Sequence, residues 1–252
     1  MTAILEMRNV RKAFGGHVVL DDVTLRFEPR RLSSVIGPNG AGKTTCFNLL
    51  TGFLRPDAGA VIFKGEDISR LPPERRARLG LCRSFQILNL FNDYTVLENI
   101  RVAVPALRRR GFDCWTPAGA VGEAEDKAAR IIRTVGLAGR EHVAAKFMSY
   151  GQRRLLEIGV ALAGEPDVLL MDEPTSGLGS RPMETLRDLV RRLSQELTIV
   201  VIEHDMNFVL SLSQHVAVLH RGTVIAEGPP EAIRDNAEVR EAYLGKLKYM
   251  KA

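Results

Sequence analysis

The sequence predicts an α/β fold with a largely parallel central sheet, an N-terminal antiparallel β subdomain and an inserted α-helical subdomain. Three observations carry this. Apolar runs at Leu32–Ile36, Val168–Met171 and Thr198–Ile202 are short, as suits buried strands of a parallel sheet, and helix-like stretches alternate with them. Ile4–Val10 and Val18–Phe27 read instead as antiparallel strands turning at Gly15-Gly16. Between about Asn89 and Gly164 strand signals vanish.

Taken in order, Leu32–Ile36 runs into a glycine-rich turn followed by an apolar helix, Thr45–Thr51. Strand-like Gly80–Phe85 borders the helical stretch. Thr95-Val96-Leu97-Glu98 is a capping box, which starts a helix by satisfying its first free amides, and Leu97, Ile100 and Val104 then share one face. Pro105, Gly111 and Pro117 interrupt the chain beyond this helix, and a second helix is expected from Val121 to Val135. Ser149 with Gln152 makes another cap, with Leu155, Ile158 and Leu162 on one face beyond it. Residues 215–226 read as a late hairpin around Arg221-Gly222. One domain results, its core formed by residues 1–88 and 165–252 and its helical subdomain by about 89–164.

Composition sets bounds. The chain has 252 residues, 45% apolar and 26% charged, enough to bury a core of its own. Cys46, Cys82 and Cys114 lack paired or metal-ligand spacing, which argues for a reducing compartment and against a disulfide framework or zinc site. The apolar runs Ile158–Ala163 and Ile199–Ile202 are too short to span a bilayer, and Met1–Glu6 has no signal-peptide character. The net charge of +5 permits an anionic ligand, membrane surface or nucleic acid and selects none of them.

Chemistry enters at residues 37–44. Gly37, Pro38, Asn39, Gly40, Ala41, Gly42, Lys43 and Thr44 match G-x-x-x-x-G-K-[ST] between an apolar strand and an apolar helix, with Thr45 next. Such a loop curls backbone amides around phosphate oxygens, and the helix N-terminus adds positive potential. Lys43 is expected to reach the β- and γ-phosphates and the Thr44 hydroxyl to bind Mg²⁺. The strand Val168–Met171 ends in Asp172 and Glu173, at the sheet edge where open α/β sheets bind ligands. Asp172 suits Mg²⁺ through its waters, and Glu173 suits a general base that polarises the attacking water.

Ser149, Tyr150, Gly151 and Gln152 read either as a plain helix cap or as a second anion site. On the second reading one chain holds two phosphate-directed helix ends, and a head-to-tail dimer lets each nucleotide lie between the loop of one chain and residues 149–152 of the other. Gln86 reads as a surface glutamine or as a contact to Mg²⁺ and the attacking water; His204, ending the strand Thr198–Glu203, as a structural histidine or a γ-phosphate contact; Phe14, in the loop after the first strand, as a core residue or a platform for adenine.

As an ordered set, these residues resemble the nucleotide-binding subunits of ABC transporters over nearly the whole chain. GPNGAGKTT (37–45) matches their Walker A, Gln86 their Q-loop, SYGQ (149–152) their signature and VLLMDEP (168–174) their Walker B; His204 matches their switch histidine and Phe14 their adenine-stacking aromatic. IGPNGAGKTTCFNLLTGF (36–53), SFQILNLFNDYTVLENI (84–100), YGQRRLLEIGVAL (150–162), IEHDMNFV (202–209) and VIAEGPPEAIRDNAEVREAYLG (224–245) resemble more narrowly the ATPase of branched-chain amino acid importers, with the urea and amide importers close by. The resemblance implies a P-loop NTPase (RecA-like) core, ATP and Mg²⁺, and an ATPase peripheral to the cytoplasmic face of the inner (plasma) membrane. It implies as partners a second cassette, identical or a sister protein, two membrane permease subunits and, indirectly, an extracytoplasmic solute-binding protein.

Rival readings of the same resemblance are an exporter's cassette, a non-catalytic regulatory cassette, against which Glu173 and His204 stand, and a nucleic-acid-associated ATPase. The last carries long coiled coils or two cassettes; this chain has no sustained heptads, and no nucleic acid is expected. Gly179 departs from the pattern, standing where many members carry the D-loop aspartate, and Tyr150 replaces the commoner signature glycine, as is usual in the narrower group.

Overall fold

The computed structural model of the chain describes residues 2–84, 90–104 and 118–244. Strands β1 (Leu5–Phe14) and β2 (His17–Phe27) pair antiparallel, and β1 also pairs with β4 (Ala58–Phe63), which carries β5 (Glu66–Asp67) on its other edge. β1 outruns the expected Ile4–Val10 because a register shift between Met7 and Val10, with Asn9 at φ 47°, absorbs an irregularity and lets pairing resume. Phe14, expected in a loop, is therefore the last residue of β1, opposite His17.

The second sheet has six strands in the order β10-β9-β3-β8-β7-β6. β3 (Leu32–Ile36), β6 (Leu81–Ser84), β7 (Val168–Asp172), β8 (Thr198–Ile202) and β9 (His215–His220) are parallel; β10 (Thr223–Gly228) folds back on β9. Every residue of β3, β7 and β8 is buried, including the polar Ser33, Ser34, Asp172 and Thr198. The register aligns strand ends: Asp172 faces Ile202, and Val35 pairs with both Ile202 and Ala217. The segments that continue β3, β7 and β8 therefore emerge at one sheet edge.

Helices are α1 (Lys43–Thr51), α2 (Pro73–Arg78), α3 (Val96–Ala103), α4 (Ala118–Thr134), α5 (Tyr150–Ala163), α6 (Ser180–Leu193), α7 (Met206–Leu212), α8 (Pro230–Asp235) and α9 (Ala237–Leu244). On one face of the sheet, Leu170, Val200 and Val35 pack with Phe47 and Leu50 of α1 and with Leu5, Met7 and Leu25 of the antiparallel sheet. On the other, Leu169, Met171, Ile199 and Val201 pack with a helical layer that includes Ile100, Ile132, Leu156 and Leu189. Burying a side chain of this size contributes about 1.5–3 kcal/mol, so both layers are anchored to β3, β7 and β8.

Candidate functional site

The loop between β3 and α1 is wedged into its curve from two sides. A Cβ on Gly42, which is at φ 102°, would lie 2.6 Å from Leu20 Cδ2; a Cβ on Gly37 would lie 2.1 Å from the Leu219 carbonyl oxygen. Only glycine permits this approach of β2 and β9 to the loop. The Gly222 amide, in the β9–β10 turn, donates to the Ala41 carbonyl at 3.2 Å and braces the loop from outside. Lys43 is buried, and its Nζ donates to the carbonyls of Gly37 (2.7 Å) and Pro38 (3.0 Å). Thr44, in the first turn of α1, is exposed. The far end of α1 is held by Arg76, whose guanidinium is wholly buried and donates to the carbonyls of Leu49 (2.6 Å), Leu50 (2.7 Å) and Leu71 (2.9 Å). Burial pulls its pKa down to about 10, so it remains cationic at neutral pH.

Beside the loop, β7 ends at Asp172, 4% exposed. Its carboxylate pairs with the guanidinium of Arg83 from β6, which also donates to Asn48 Oδ1 (2.8 Å) and Thr51 Oγ1 (3.3 Å) on α1. Glu173 comes next at φ 43°, an uncommon conformation for a non-glycine residue. Bonds to described residues help hold it there: its amide donates to the Ile202 carbonyl at 2.9 Å, and its own carbonyl accepts from the Ser176 amide (3.1 Å) and from Arg154 Nη2 (3.1 Å). Arg154 is itself wholly buried and paired with Glu157 one turn along α5 (2.7 Å).

β8 continues into Glu203 and His204. The Glu203 carboxylate is fully buried. One of its oxygens accepts from the Thr175 amide (2.8 Å) and hydroxyl (2.5 Å), the other from the amides of His204 (2.9 Å) and Asp205 (3.3 Å). It thereby ties the turn after Glu173 to the backbone of His204, whose ring stays largely open. Phe14, 46% exposed at the end of β1, lies under Lys12 Nζ at 5.5 Å from its ring centre. Asp57 fixes that strand end by accepting from Lys12 (2.7 Å) and the Ala13 amide (2.7 Å), and these two bonds hold its carboxyl below the usual range.

The helical layer supplies the remaining element. Ser149 caps α5: its hydroxyl accepts from the Gln152 amide (3.3 Å) while Gln152 Oε1 accepts from the Ser149 amide (3.0 Å). The Tyr150 and Gly151 amides, at the first two helical positions, meet no acceptor among the described residues. Gly179 is the N-cap of α6, with open space where a side chain would begin. Cys46 is buried behind the loop, its thiol 3.3 Å from Met7 Sδ and pushed up to about 12 by burial, so it is an inert packed residue.

The sheet edge thus gathers the loop 37–45, Asp172–Glu173 and His204, with Ser149–Gln152 at the start of the helix whose next turn carries Arg154. Gln86 lies outside the described residues, as do Cys114 and the Arg108–Arg110 and Lys246–Lys251 clusters. Sequence reasoning assigns no role to Arg76, Arg83, Arg154 or Glu203: Arg154 and Glu203 fall inside segments that carry the family resemblance without being singled out there, and Arg76 and Arg83 fall outside every such segment.

This constellation, on this sheet topology, defines a nucleotide-binding cassette. The family described as ABC transporter matches residues 20–176, and the chain belongs to that family as an ATPase cassette. Residues 223–247 match a second family, described as branched-chain amino acid ATP-binding cassette transporter. The high-affinity branched-chain amino acid transport ATP-binding protein BraF of Pseudomonas aeruginosa is 40% identical over 250 residues, covering 96% of this chain and 98% of that protein. LivG of Escherichia coli, with the same description, is 38% identical over the same coverage. Among solved structures, the ADP conformation of MJ1267, an ATP-binding cassette of an ABC transporter, is similar with a TM-score of 0.85 and 30% identity over 97% of this chain and all of that one.

Proposed function

We propose that the chain is the ATP-hydrolysing subunit of an importer for branched-chain or related amino acids, driving two membrane permease subunits fed by an extracytoplasmic binding protein. The observation that carries the catalytic reading is the shared sheet edge of loop 37–45, Asp172–Glu173 and His204. The relatives' names support the solute class; a urea or amide importer is the nearest alternative within the resemblance.

ATP binds with its base on Phe14 and its phosphates in loop 37–45, where Lys43 exchanges carbonyl partners for β- and γ-phosphate oxygens. The hydroxyl of Thr44 and the carboxylate of Asp172 are hard oxygen donors of the kind Mg²⁺ takes, and with Gln86 they would hold it; the ion supplies positive charge across the phosphates. A second cassette, identical or a sister chain, closes over the γ-phosphate with the open amides at the start of its own α5. Glu173 accepts the proton of the attacking water, and His204 meets the γ-phosphate. Most of the rate enhancement comes from positioning and charge. Hydrolysis removes the bridging triphosphate and the pair opens.

The groove of about 340 Å³ between α2, β6 and α5, lined by Phe53, Ala77, Arg83, Glu157 and Val160, suits a segment of a permease subunit. Among the described residues no helix is long and apolar enough to cross a membrane, so attachment through permeases accounts for a peripheral place on the cytoplasmic face. The test is Glu173→Gln in the assembled transporter. Nucleotide affinity is expected to stay within about twofold while turnover falls by roughly 10²-fold or more, the scale of general base catalysis. Undiminished hydrolysis removes Glu173 from its role.

A further inference from the structure

Arg83 belongs at once to the groove and to the nucleotide edge. Its guanidinium pairs with Asp172 on one side and bonds Asn48 and Thr51 of α1 on the other. It lies 5.7 Å from the ring centre of buried Phe47 and 5.9 Å from that of Phe53, which is half-exposed in the groove. Both members of the ion pair are nearly buried, with side chains 9% and 6% exposed, so a change in one is not screened from the other by solvent. Arg83 and Phe53 line the groove, whereas Asp172 closes β7 at the catalytic edge.

We propose that Arg83 is a positioning residue that orients Asp172 and makes the affinity for magnesium nucleotide depend on what fills the groove. The second half rests on the reading above, that a permease segment occupies the groove. Two charges compete for one carboxylate: the guanidinium and the cation that accompanies the phosphates. The tighter Arg83 sits on Asp172, the less of its charge the metal can use. A segment entering the groove against Phe53 moves the ring on which the guanidinium rests and shifts that balance. By reciprocity, magnesium nucleotide at the catalytic edge alters the groove and its occupant's affinity by the same factor.

Arg83→Gln leaves Asp172 a buried carboxylate without its cation, which is costly until a cation replaces it. The variant is expected to melt lower than wild type in EDTA and to recover with magnesium and ATP. Its half-saturating magnesium concentration for binding a fluorescent ATP analogue should fall by about fivefold or more, a typical coupling factor, while affinity for the analogue in EDTA stays at the wild-type value. Arg83→Lys keeps the charge on Asp172 but cannot also bridge Asn48 and Thr51 or reach both rings as the broader guanidinium does. Its magnesium dependence in the free cassette should match wild type.

The second arm compares free cassette with cassette assembled on its permeases in lipid nanodiscs. Wild type is expected to shift its magnesium half-saturation on assembly; Arg83→Lys and Arg83→Gln should assemble yet show no shift. An unchanged magnesium dependence in free Arg83→Gln, or an equal shift on assembly in wild type and both variants, overturns the proposal. The groove reading fails separately and visibly, if Val160→Trp, which fills the groove, still assembles and transports normally. Should Arg83→Gln not fold, the loss of the assembly shift in Arg83→Lys decides.

Discussion

Helices α3 and α5 both lie between β6 and β7 in the chain and begin with the same capping box, yet their first amides end in opposite situations. In α3 the Thr95 hydroxyl accepts from the Glu98 amide (3.2 Å) and the Glu98 carboxylate accepts from the Thr95 amide (2.7 Å); Ser149 and Gln152 repeat this in α5. The next two amides differ. Those of Val96 and Leu97 donate to the carbonyls of Val143 and Glu141, at 3.0 Å each, whereas those of Tyr150 and Gly151 have no acceptor among the described residues. The reciprocal residue differs too, an anion in Glu98 and a neutral amide in Gln152. A capping box therefore starts a helix without making an anion site. A site needs unspent amides and no resident negative charge.

Gln152→Glu probes the comparison most strongly, because it gives α5 the charge pattern of α3. The cap survives, so stability should stay within about 0.5 kcal/mol of wild type. The carboxylate now sits where we propose that a γ-phosphate is received, and turnover in the assembled transporter should fall by at least about tenfold, equivalent to roughly 1.4 kcal/mol in the barrier. ATP-driven closure, trapped in a Glu173→Gln background and followed by crosslinking, should be lost with it. Wild-type closure and turnover in this variant would reduce α5 to a plain capped helix.

Next in size is the pair Thr95→Ala and Ser149→Ala. Each removes a side-chain cap, costing about 1 kcal/mol and lowering the melting temperature by about 2–4 °C in a chain of this length. Only Ser149→Ala should also slow ATP hydrolysis. Calorimetry and steady-state hydrolysis on the two proteins separate the shared structural role from the one assigned to α5 alone; equal losses of activity would erase the distinction.

Both capping boxes were legible in the sequence because their signal is local: a hydroxyl residue and a Glu or Gln three positions on. So were the parallel strands β7 and β8, whose apolar runs need no knowledge of neighbours, and the late hairpin, seen as β9 and β10. The open amides of α5 and the occupied ones of α3 were not legible. That difference is made by the carbonyls of Glu141 and Val143, roughly forty positions or more beyond the start of α3, and nothing in their side chains announces it. Strand β4 gave no clear signal either, since Ala58-Gly59-Ala60 is short of side chains and Gly59 weakens the alternation. Glu203 and Arg154 stayed invisible for a related reason. Each is a charge whose partners lie on other elements, the Thr175 turn and the Glu173 carbonyl, so its role exists only once β7, β8 and α5 have met.

The smallest expected effect separates the two caps by charge alone. Glu98 has its carboxyl held below the ordinary value of 4.5, first by the bond from the Thr95 amide and then by that from its hydroxyl. A depressed folded-state value means the stabilisation is fully present above 4.5 and is lost as pH falls through the depressed value. Glu98→Gln keeps the shape of the cap and removes its charge. The variant should therefore melt slightly below wild type at neutral pH, with the gap closing as the solution is acidified past 4.5, since protonated Glu98 and Gln are then alike. Neutral Gln152 has no such dependence, so the cap of α5 contributes equally across that range. Nor should Glu98→Gln turn α3 into an anion site, because the backbone carbonyls of Glu141 and Val143 still occupy its first two amides. A melting gap that persists unchanged into acid would show that charge at this position does not distinguish the two helices.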